Sequence, residues 1–137
     1  MKISNVDVIP LSYPLEQEAY DATARWKEFN WILVKVETSN GLLGLADIAP
    51  LHGKEMEIFE AIIKKKLERL VIGESPYDVE RIWMKMIGKG SSAYALGNKG
   101  AVVSAASAID VALWDIISQS LGTPLYNILG GKFREKI

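Results

Sequence analysis

The sequence predicts an α+β fold in which a three-stranded antiparallel meander is followed by three to four helices. Near its start the chain alternates apolar and polar residues with the period of a strand. From residue 56 onward apolar residues recur every three or four positions, which is the period of an amphipathic helix. Strands followed by helices, rather than alternating with them, are typical of an α+β domain.

The first strand is marked by Val6 and Val8, which alternate with the polar residues Asn5 and Asp7. Pro10 comes next in this pattern. Because proline has no N–H to donate to a sheet, it indicates an edge strand or a bulge.

The second strand is predicted from Trp31 to Thr38. A hairpin turn at Asn40-Gly41 connects it to a third strand, predicted from Leu42 to Ile48. Asn-Gly accepts the positive φ angles of a tight hairpin turn. Lys35 and Glu37 fall on one face of the second strand. The other face carries β-branched apolar residues, which are Ile32, Val34 and Val36. One face of the meander is therefore expected to be buried.

The segment from Leu15 to Phe29 is predicted to be a long polar and aromatic connection between the first two strands. It is far longer than a hairpin turn needs. Because long ordered loops often carry function, it is the first place to look for a binding site.

Two amphipathic helices are predicted to cover the sheet. The first ends before Gly73 and has an apolar stripe formed by Met56, Phe59, Ile63, Leu67 and Leu70. The second is expected to begin at Ser75-Pro76 and to end near Gly88. Its stripe is Val79, Ile82, Trp83 and Met86.

A third helix, from about Lys99 to Leu121, is apolar on nearly all sides. It follows a glycine-rich loop, and a short helix from Thr123-Pro124 to Leu129 follows it. A small sheet and two helices are expected to cover only one side of such a helix. Its other side is therefore predicted to meet another domain or subunit.

Composition excludes several classes of function. The 137 residues make one domain, and 16 Lys and Arg balance 17 Asp and Glu, so neither nucleic acid nor an acidic membrane is an expected partner. With no Cys and one His, the chain has no thiolate nucleophile and no zinc site of the usual kind. The start resembles no signal peptide, so a cytoplasmic location is expected.

Asp110 and Asp115 interrupt the most apolar stretch, where a membrane helix would place a charge only at high cost. No segment is therefore expected to cross a bilayer. Five positions apart on a helix, the two carboxylates are badly placed to share one metal ion. Structural pairing with buried donors is the expected role.

The stretch ASAIDVALWDIISQSLGTPLYNILGG, residues 106 to 131, resembles a signature in the mandelate racemase and muconate lactonizing enzyme branch of the enolase superfamily. The signature lies near the end of that family's N-terminal capping domain. The residues that carry it are Ala105, Ser107, Ile109, Asp110, Ala112, Leu113, Asp115, Pro124, Leu125, Leu129, Gly130 and Gly131. Ser118 departs from it, because the family usually has Gly or Ala there. Gly41, Gly44 and Asp47 are similar to the family's hairpin pattern.

The resemblance implies that residues 1–131 form a capping domain and that 132–137 begin the linker or first strand of a (β/α) barrel absent from this chain. In that family the barrel binds Mg²⁺ and carries the acid/base residues, so neither catalytic residues nor metal ligands are expected here. The implied function is substrate capping and specificity in an enzyme that abstracts the proton α to a carboxylate. Such enzymes include racemases, epimerases and acid-sugar dehydratases.

The capping loops implied by the resemblance are the Leu15 to Phe29 connection and the turn from Asp47 to Gly53. Four residues in them are expected to face the substrate, namely Tyr20, Arg25, Trp26 and His52. Arg25 is expected to hold an anionic group distal to the reacting carbon, between apolar walls formed by the two aromatic residues. The implied partners are the protein's own barrel, a small carboxylate substrate and further copies in a homo-oligomer.

Two alternatives remain open. Ile48-Ala49-Pro50-Leu51 resembles the muconate lactonizing side, which includes cycloisomerases and dipeptide epimerases. In the other alternative, the chain is a stand-alone interaction module without catalysis, which buries its long helix in a homodimer.

Overall fold

A computed structural model describes residues 1–49, 56–91, 96–97 and 99–136. Its sheet has three antiparallel strands in the order β1 (Ile3–Tyr20), β2 (Arg25–Thr38) and β3 (Leu43–Ile48). The helices after the sheet are α1 (Met56–Ile62), α2 (Glu68–Val71), α3 (Val79–Ile87), α4 (Ala101–Ser120) and α5 (Leu125–Ile128). The predicted meander followed by helices is confirmed.

The first predicted helix is continuous but changes its winding in the middle. A π-helical turn, Ile63–Leu67, joins α1 to α2, and Gly73 follows at a φ of +82° as its position predicts. Lys64 lies in this turn, where its ammonium group donates to the carbonyl of Val6 at 2.8 Å and pairs with Glu68. The helix is thereby tied to strand β1.

Helix α3 begins later than predicted. The Asp78 N–H donates to the Ser75 carbonyl at 3.0 Å, so Ser75-Pro76 forms a turn ahead of the helix rather than its cap. Asp78 is the N-cap residue, and its carboxylate pairs with Arg81. The prediction that the helix begins at Ser75-Pro76 is wrong, because the chain makes one more turn before α3.

The predicted Leu15 to Phe29 loop is also wrong: most of this segment belongs to two long strands. Pairing between β1 and β2 continues from Leu11↔Trp31 outward to Tyr20↔Arg25, with one irregularity between Pro14 and Ala19. Only residues 21–24 connect the strands. We call residues 11–31 the hairpin arm, and residues 3–10, 32–38 and 43–48 the sheet base.

Burial explains why the sequence of the arm does not show the pattern of a strand. Within the arm only Asn30 is buried, so no buried apolar face imposes a period-two pattern on the sequence. In the β2 and β3 parts of the sheet base the alternation is strict, with Ile32, Val34 and Val36 fully buried.

The core lies between the sheet base and α4. At Gly44 the backbones of β3 and α4 come so close that a Cβ atom would lie 2.0 Å from the carbonyl oxygen of Ala112. Gly44 is therefore required for lack of space rather than for its φ angle.

Helix α4 is covered more completely than expected. Half of its residues are buried by this chain alone, and its exposed side between the two ends is a narrow stripe that includes Ser104 and Val111. By length and a mean hydropathy of 1.6 it would qualify as a membrane span, but 56% of that stretch is buried inside the fold. It is the core helix.

Candidate functional site

Two segments leave the same end of the sheet. In the register of the meander, Ile32 of β2 pairs with Pro10 on one side and with Ile48 on the other. The hairpin arm begins directly after Pro10, and β3 ends at Ile48. The arm and the segment that follows Ile48 therefore start side by side.

At the tip of the arm, Tyr20 and Arg25 form the last pair of the ladder. The guanidinium of Arg25 lies over the Tyr20 ring, 5.6 Å from its centroid, and 3.6 Å from the carboxylate of Glu18. The Arg25 side chain is 73% exposed, so the ring and the carboxylate orient it without burying it. It remains able to bind an anion.

Asp21 shapes the turn that brings Tyr20 and Arg25 together. One of its carboxylate oxygens accepts the N–H groups of Thr23 and Ala24, at 2.7 and 2.8 Å, and the Thr23 hydroxyl at 2.8 Å. The Asp21 N–H donates to the Ala24 carbonyl at 3.0 Å. Sequence reasoning missed this residue and Glu18, although Asp followed two positions later by Thr is a known turn signal.

Trp26 belongs to the ladder pair next to Tyr20 and Arg25. It pairs with Ala19 and is half-buried, and its ring lies 6.5 Å from the ring of Phe29. Phe29 in turn lies 5.4 Å from Trp31. The structure therefore places the Trp26 ring in an aromatic row and the Tyr20 and Arg25 side chains against each other at the tip. His52 lies outside the described residues.

A shallow pocket of about 310 Å³ lies at the base of this region, between the end of β3 and α4. Asp47, Ile48 and Ala49 line one side. The other side is mostly apolar and is formed by Val103, Ser104, Ser107, Ala108 and Val111. The exposed stripe of α4 is thus part of this pocket wall.

The two helical carboxylates have separate partners, as expected. Asp115 accepts the N–H of Leu45 at 3.0 Å and so joins α4 to β3. Burial and the charge of Glu80 raise the pKa of Asp110, and a hydrogen bond from Trp114 opposes that rise. Among the described residues no group of three or more His, Cys, Asp or Glu side chains is placed to hold a metal ion.

Comparison with known proteins identifies the family. Residues 11–130 match the family model described as the N-terminal domain of mandelate racemase / muconate lactonizing enzyme. A D-galactonate dehydratase family member from a Marinomonas species is 39% identical over 109 residues, which are 79% of this chain and 25% of that protein. A D-mannonate dehydratase from Novosphingobium aromaticivorans is 36% identical over the same shares of the two proteins.

Solved structures share the fold. A racemase from Streptomyces coelicolor with bound magnesium superposes with a TM-score of 0.84 at 30% identity, over 95% of this chain and 36% of that one. The present chain spans about a quarter of the length of the curated relatives it matches.

Proposed function

Because the chain belongs to the mandelate racemase / muconate lactonizing enzyme family as its N-terminal domain, we propose that it is the substrate-capping and specificity domain of an acid-sugar dehydratase. The reaction would remove the proton α to the substrate carboxylate and then expel the hydroxyl on the neighbouring carbon as water. One of the two relatives above is named a D-mannonate dehydratase and the other a member of the D-galactonate dehydratase family; both named compounds are sugar acids, and this supports the proposed substrate class.

The observation that carries the proposal is that two segments leave one end of the sheet beside each other. A cap must close over a substrate from a rigid base, and the pairing of Pro10 and Ile48 with the same residue, Ile32, provides that base. A substrate held against this end would meet the arm on one side and the end of β3, at Ile48 and Ala49, on the other.

The chain's own part in the reaction is binding and exclusion of water. Magnesium, which is bound in the racemase of Streptomyces coelicolor, would stabilise the negative charge that develops as the proton leaves. Its ligands are assigned to the proposed barrel, since the described residues offer no cluster of three candidate ligands. The chain alone is expected to be inactive.

Arg25 is the residue assigned to substrate specificity. Its guanidinium is fixed in direction by Tyr20 and Glu18 but remains largely exposed. A planar guanidinium binds a carboxylate through two parallel hydrogen bonds. Here it would bind an anionic group at the end of the sugar acid away from the reacting carbon. Trp26 and His52 are kept as further proposed contacts, in the arm and in the segment after Ile48.

The test uses the complete protein, assayed with Mg²⁺ against a panel of sugar mono- and diacids. Arg25→Met should raise KM for the preferred substrate roughly tenfold or more with little change in kcat, since hydrogen bonds to charged groups contribute about 1.5 to 3 kcal/mol. Glu18→Gln should raise KM by less than Arg25→Met does, because it loosens the orientation of the guanidinium without removing it.

Arg69→Met is the matched control. Arg69 is exposed on α2, which ends beside Ile3 at the opposite end of the sheet, where the Gly73 N–H donates to the Ile3 carbonyl. Its substitution should change neither kinetic constant. The assignment of Arg25 is overturned if Arg25→Met and Arg69→Met give the same KM for every substrate, and the dehydratase proposal fails if no sugar acid is turned over.

A further inference from the structure

A groove between α2 and α3 lies at the end of the sheet opposite the hairpin arm. It is fixed to the start of β1, because the Ile3 N–H donates to the Glu74 carbonyl at 2.9 Å and the Gly73 N–H donates to the Ile3 carbonyl at 2.8 Å. Its volume is about 620 Å³. Small-molecule sites enclose about 300–1,000 Å³, so the groove is large enough for an organic ligand.

The groove concentrates positive charge, although the chain as a whole does not. Four cationic side chains and one carboxylate line it, whereas the whole chain has 16 Lys and Arg against 17 Asp and Glu. The four cations are Arg69, Arg81, Lys85 and Lys89. Such a local surplus attracts anions, most strongly at low ionic strength.

The one carboxylate, Glu74, compensates only part of this charge. It accepts a hydrogen bond from Lys85 and pairs with Arg81 at 2.6 Å, and Arg81 also pairs with Asp78. The other two cations form no ion pair with any residue in the described ranges. Lys85 is still 40% exposed, and an ammonium group has three N–H donors, so it can bind a second anion besides Glu74.

The turn after α3 brings Lys89-Gly90-Ser91 to the wall of the groove. Gly90 has a φ of +91°, and nothing lies within 4 Å of the position that a Cβ atom would take, so the backbone is open to a ligand there. The Ser91 hydroxyl already donates to the Met86 carbonyl at 3.3 Å. The ammonium group of Lys89 is therefore the side-chain donor that this turn offers to an anion.

Part of the lining is apolar. Leu70 belongs to α2, Ile72 follows it, and Met84 belongs to α3. Ile72 and Met84 are 41% and 59% exposed, so both can contact a ligand. A thioether packs favourably against an aromatic ring. An inorganic anion would use the cations of the groove but not this apolar part.

We propose that the groove binds a nucleoside phosphate, whose phosphate groups lie against Lys85 and Lys89 and whose base packs on Met84 and Ile72. A ligand with both an anionic and an aromatic part uses the whole lining, whereas a simple anion or an apolar compound uses half of it. Arg69, on the α2 side, adds to the positive potential without being assigned to the ligand. The proposal does not rest on the proposed dehydratase function.

The test is isothermal titration calorimetry of the complete protein with ADP, in phosphate-free buffer at low ionic strength and without Mg²⁺. One ADP should bind per chain. Pyrophosphate, which lacks the base, should bind more weakly by roughly tenfold or more, because it buries no apolar surface. Absence of saturable ADP binding overturns the proposal, and equal affinities for the two ligands overturn the assignment to a nucleoside phosphate.

Two substitutions at exposed positions separate the anionic contact from the apolar one. Lys89→Glu should lower the affinity for both ligands by roughly tenfold or more, because it replaces a charge-assisted hydrogen bond with repulsion. Met84→Ala should lower the affinity for ADP and leave that for pyrophosphate unchanged. Loss of pyrophosphate binding in Met84→Ala would contradict the placement of the base.

Lys27→Glu is the matched control for Lys89→Glu. It makes the same change of charge at an exposed lysine of the hairpin arm, at the other end of the sheet. It should change neither affinity. Equal effects of the two substitutions would show that net charge alone governs binding, and would overturn the proposal.

Arg25→Met distinguishes the groove from the proposed substrate site. ADP is an anion, so binding at Arg25 instead would be abolished in this variant, and that result would overturn the proposal. The expected result is an unchanged affinity for ADP. Because the groove lies at the opposite end of the sheet, sugar-acid kinetics measured without nucleotide should not depend on it, and each proposal can fail while the other stands.

Discussion

The sheet base and the hairpin arm are built from the same two strands but are stabilised differently. In the base, β2 buries every second residue against the helices, whereas in the arm it buries only Asn30. The ladder of hydrogen bonds runs through both. Apolar burial therefore stabilises the base, while pairing and the Asp21 turn hold the arm. A sequence pattern reveals a strand by its buried face, but backbone pairing can form a strand that has no such face.

The largest effect should come from the tightest point of the base. Gly44→Val should destabilise the protein by more than about 4 kcal/mol, because its Cβ would collide with the Ala112 carbonyl and force β3 away from α4. Urea unfolding followed by circular dichroism measures this. Leu43→Ala, at the exposed neighbouring position, is the control and should cost little. Equal midpoints for the two variants would contradict the close approach.

Truncating an apolar residue should cost more stability in the sheet base than in the hairpin arm. Ile32→Ala should cost about 3 kcal/mol, since Ile32 is fully buried. Leu11→Ala in the arm should cost less than about 1 kcal/mol, because the side chain is already 47% exposed. Both are measured by urea unfolding at low protein concentration, where self-association contributes least. Similar costs would mean that the arm has a core of its own.

Loss of the hydrogen bond that connects α4 to β3 should lower stability by an intermediate amount. Asp115→Ala removes the acceptor of the Leu45 N–H and should cost about 1 to 2 kcal/mol. Asp115→Asn keeps an oxygen acceptor and should cost less. Thermal unfolding compares the two, and if Asp115→Asn were the more harmful variant, the negative charge rather than the hydrogen bond would be the stabilising feature.

In the arm, Asp21→Ala should have a small effect on global stability, below about 1 kcal/mol, because it removes exposed local hydrogen bonds. Amide hydrogen exchange should nevertheless speed up in residues 19–26 and remain unchanged in the base. Asp21→Asn retains a turn-forming side chain and should restore protection. Exchange that increases equally in β3 would show that arm and base unfold as one unit.

The smallest effect should be on pH dependence, and it involves Glu74, which lies between α2 and α3. The hydrogen bond from Lys85, aided by the charge of Arg81, lowers the pKa of Glu74 below its ordinary 4.5. Its stabilisation is therefore complete above pH 4.5 and is lost as the pH falls through the lower folded-state pKa. Glu74→Gln should remove this acid-side loss in urea unfolding followed between pH 6 and 3.

Acidification should change stability through Asp110 in the opposite direction to its effect through Glu74. Because burial raises its pKa above the ordinary 3.8, the folded protein binds the proton more tightly, and protonation on acidification adds stability. Asp110→Asn should therefore be neutral or stabilising near pH 7. Loss of stability near pH 7 in this variant would indicate that the Trp114 hydrogen bond outweighs burial.

The site was predictable only in part. Arg25 and Tyr20 were chosen from the sequence for their chemistry and prove to be in contact. The partner carboxylate Glu18 does not follow from the sequence pattern, which predicts a loop in which residues 18 and 25 have no defined relation. Once the segment is a hairpin, pairing brings them within reach. Trp26 is the next residue along β2, and its ring lies near the ring of Phe29.

The sequence by itself determined the order of strands and helices, the buried face of the sheet base and the family, because each depends on a local pattern: period-two alternation, period-3.6 stripes and the signature of α4. Only the tertiary structure decided that the polar segment is a hairpin arm, that β3 meets α4 at Gly44, and which apolar surface remains open. Those features depend on contacts between residues distant in the chain, and without a buried face such contacts leave no periodic trace in the sequence.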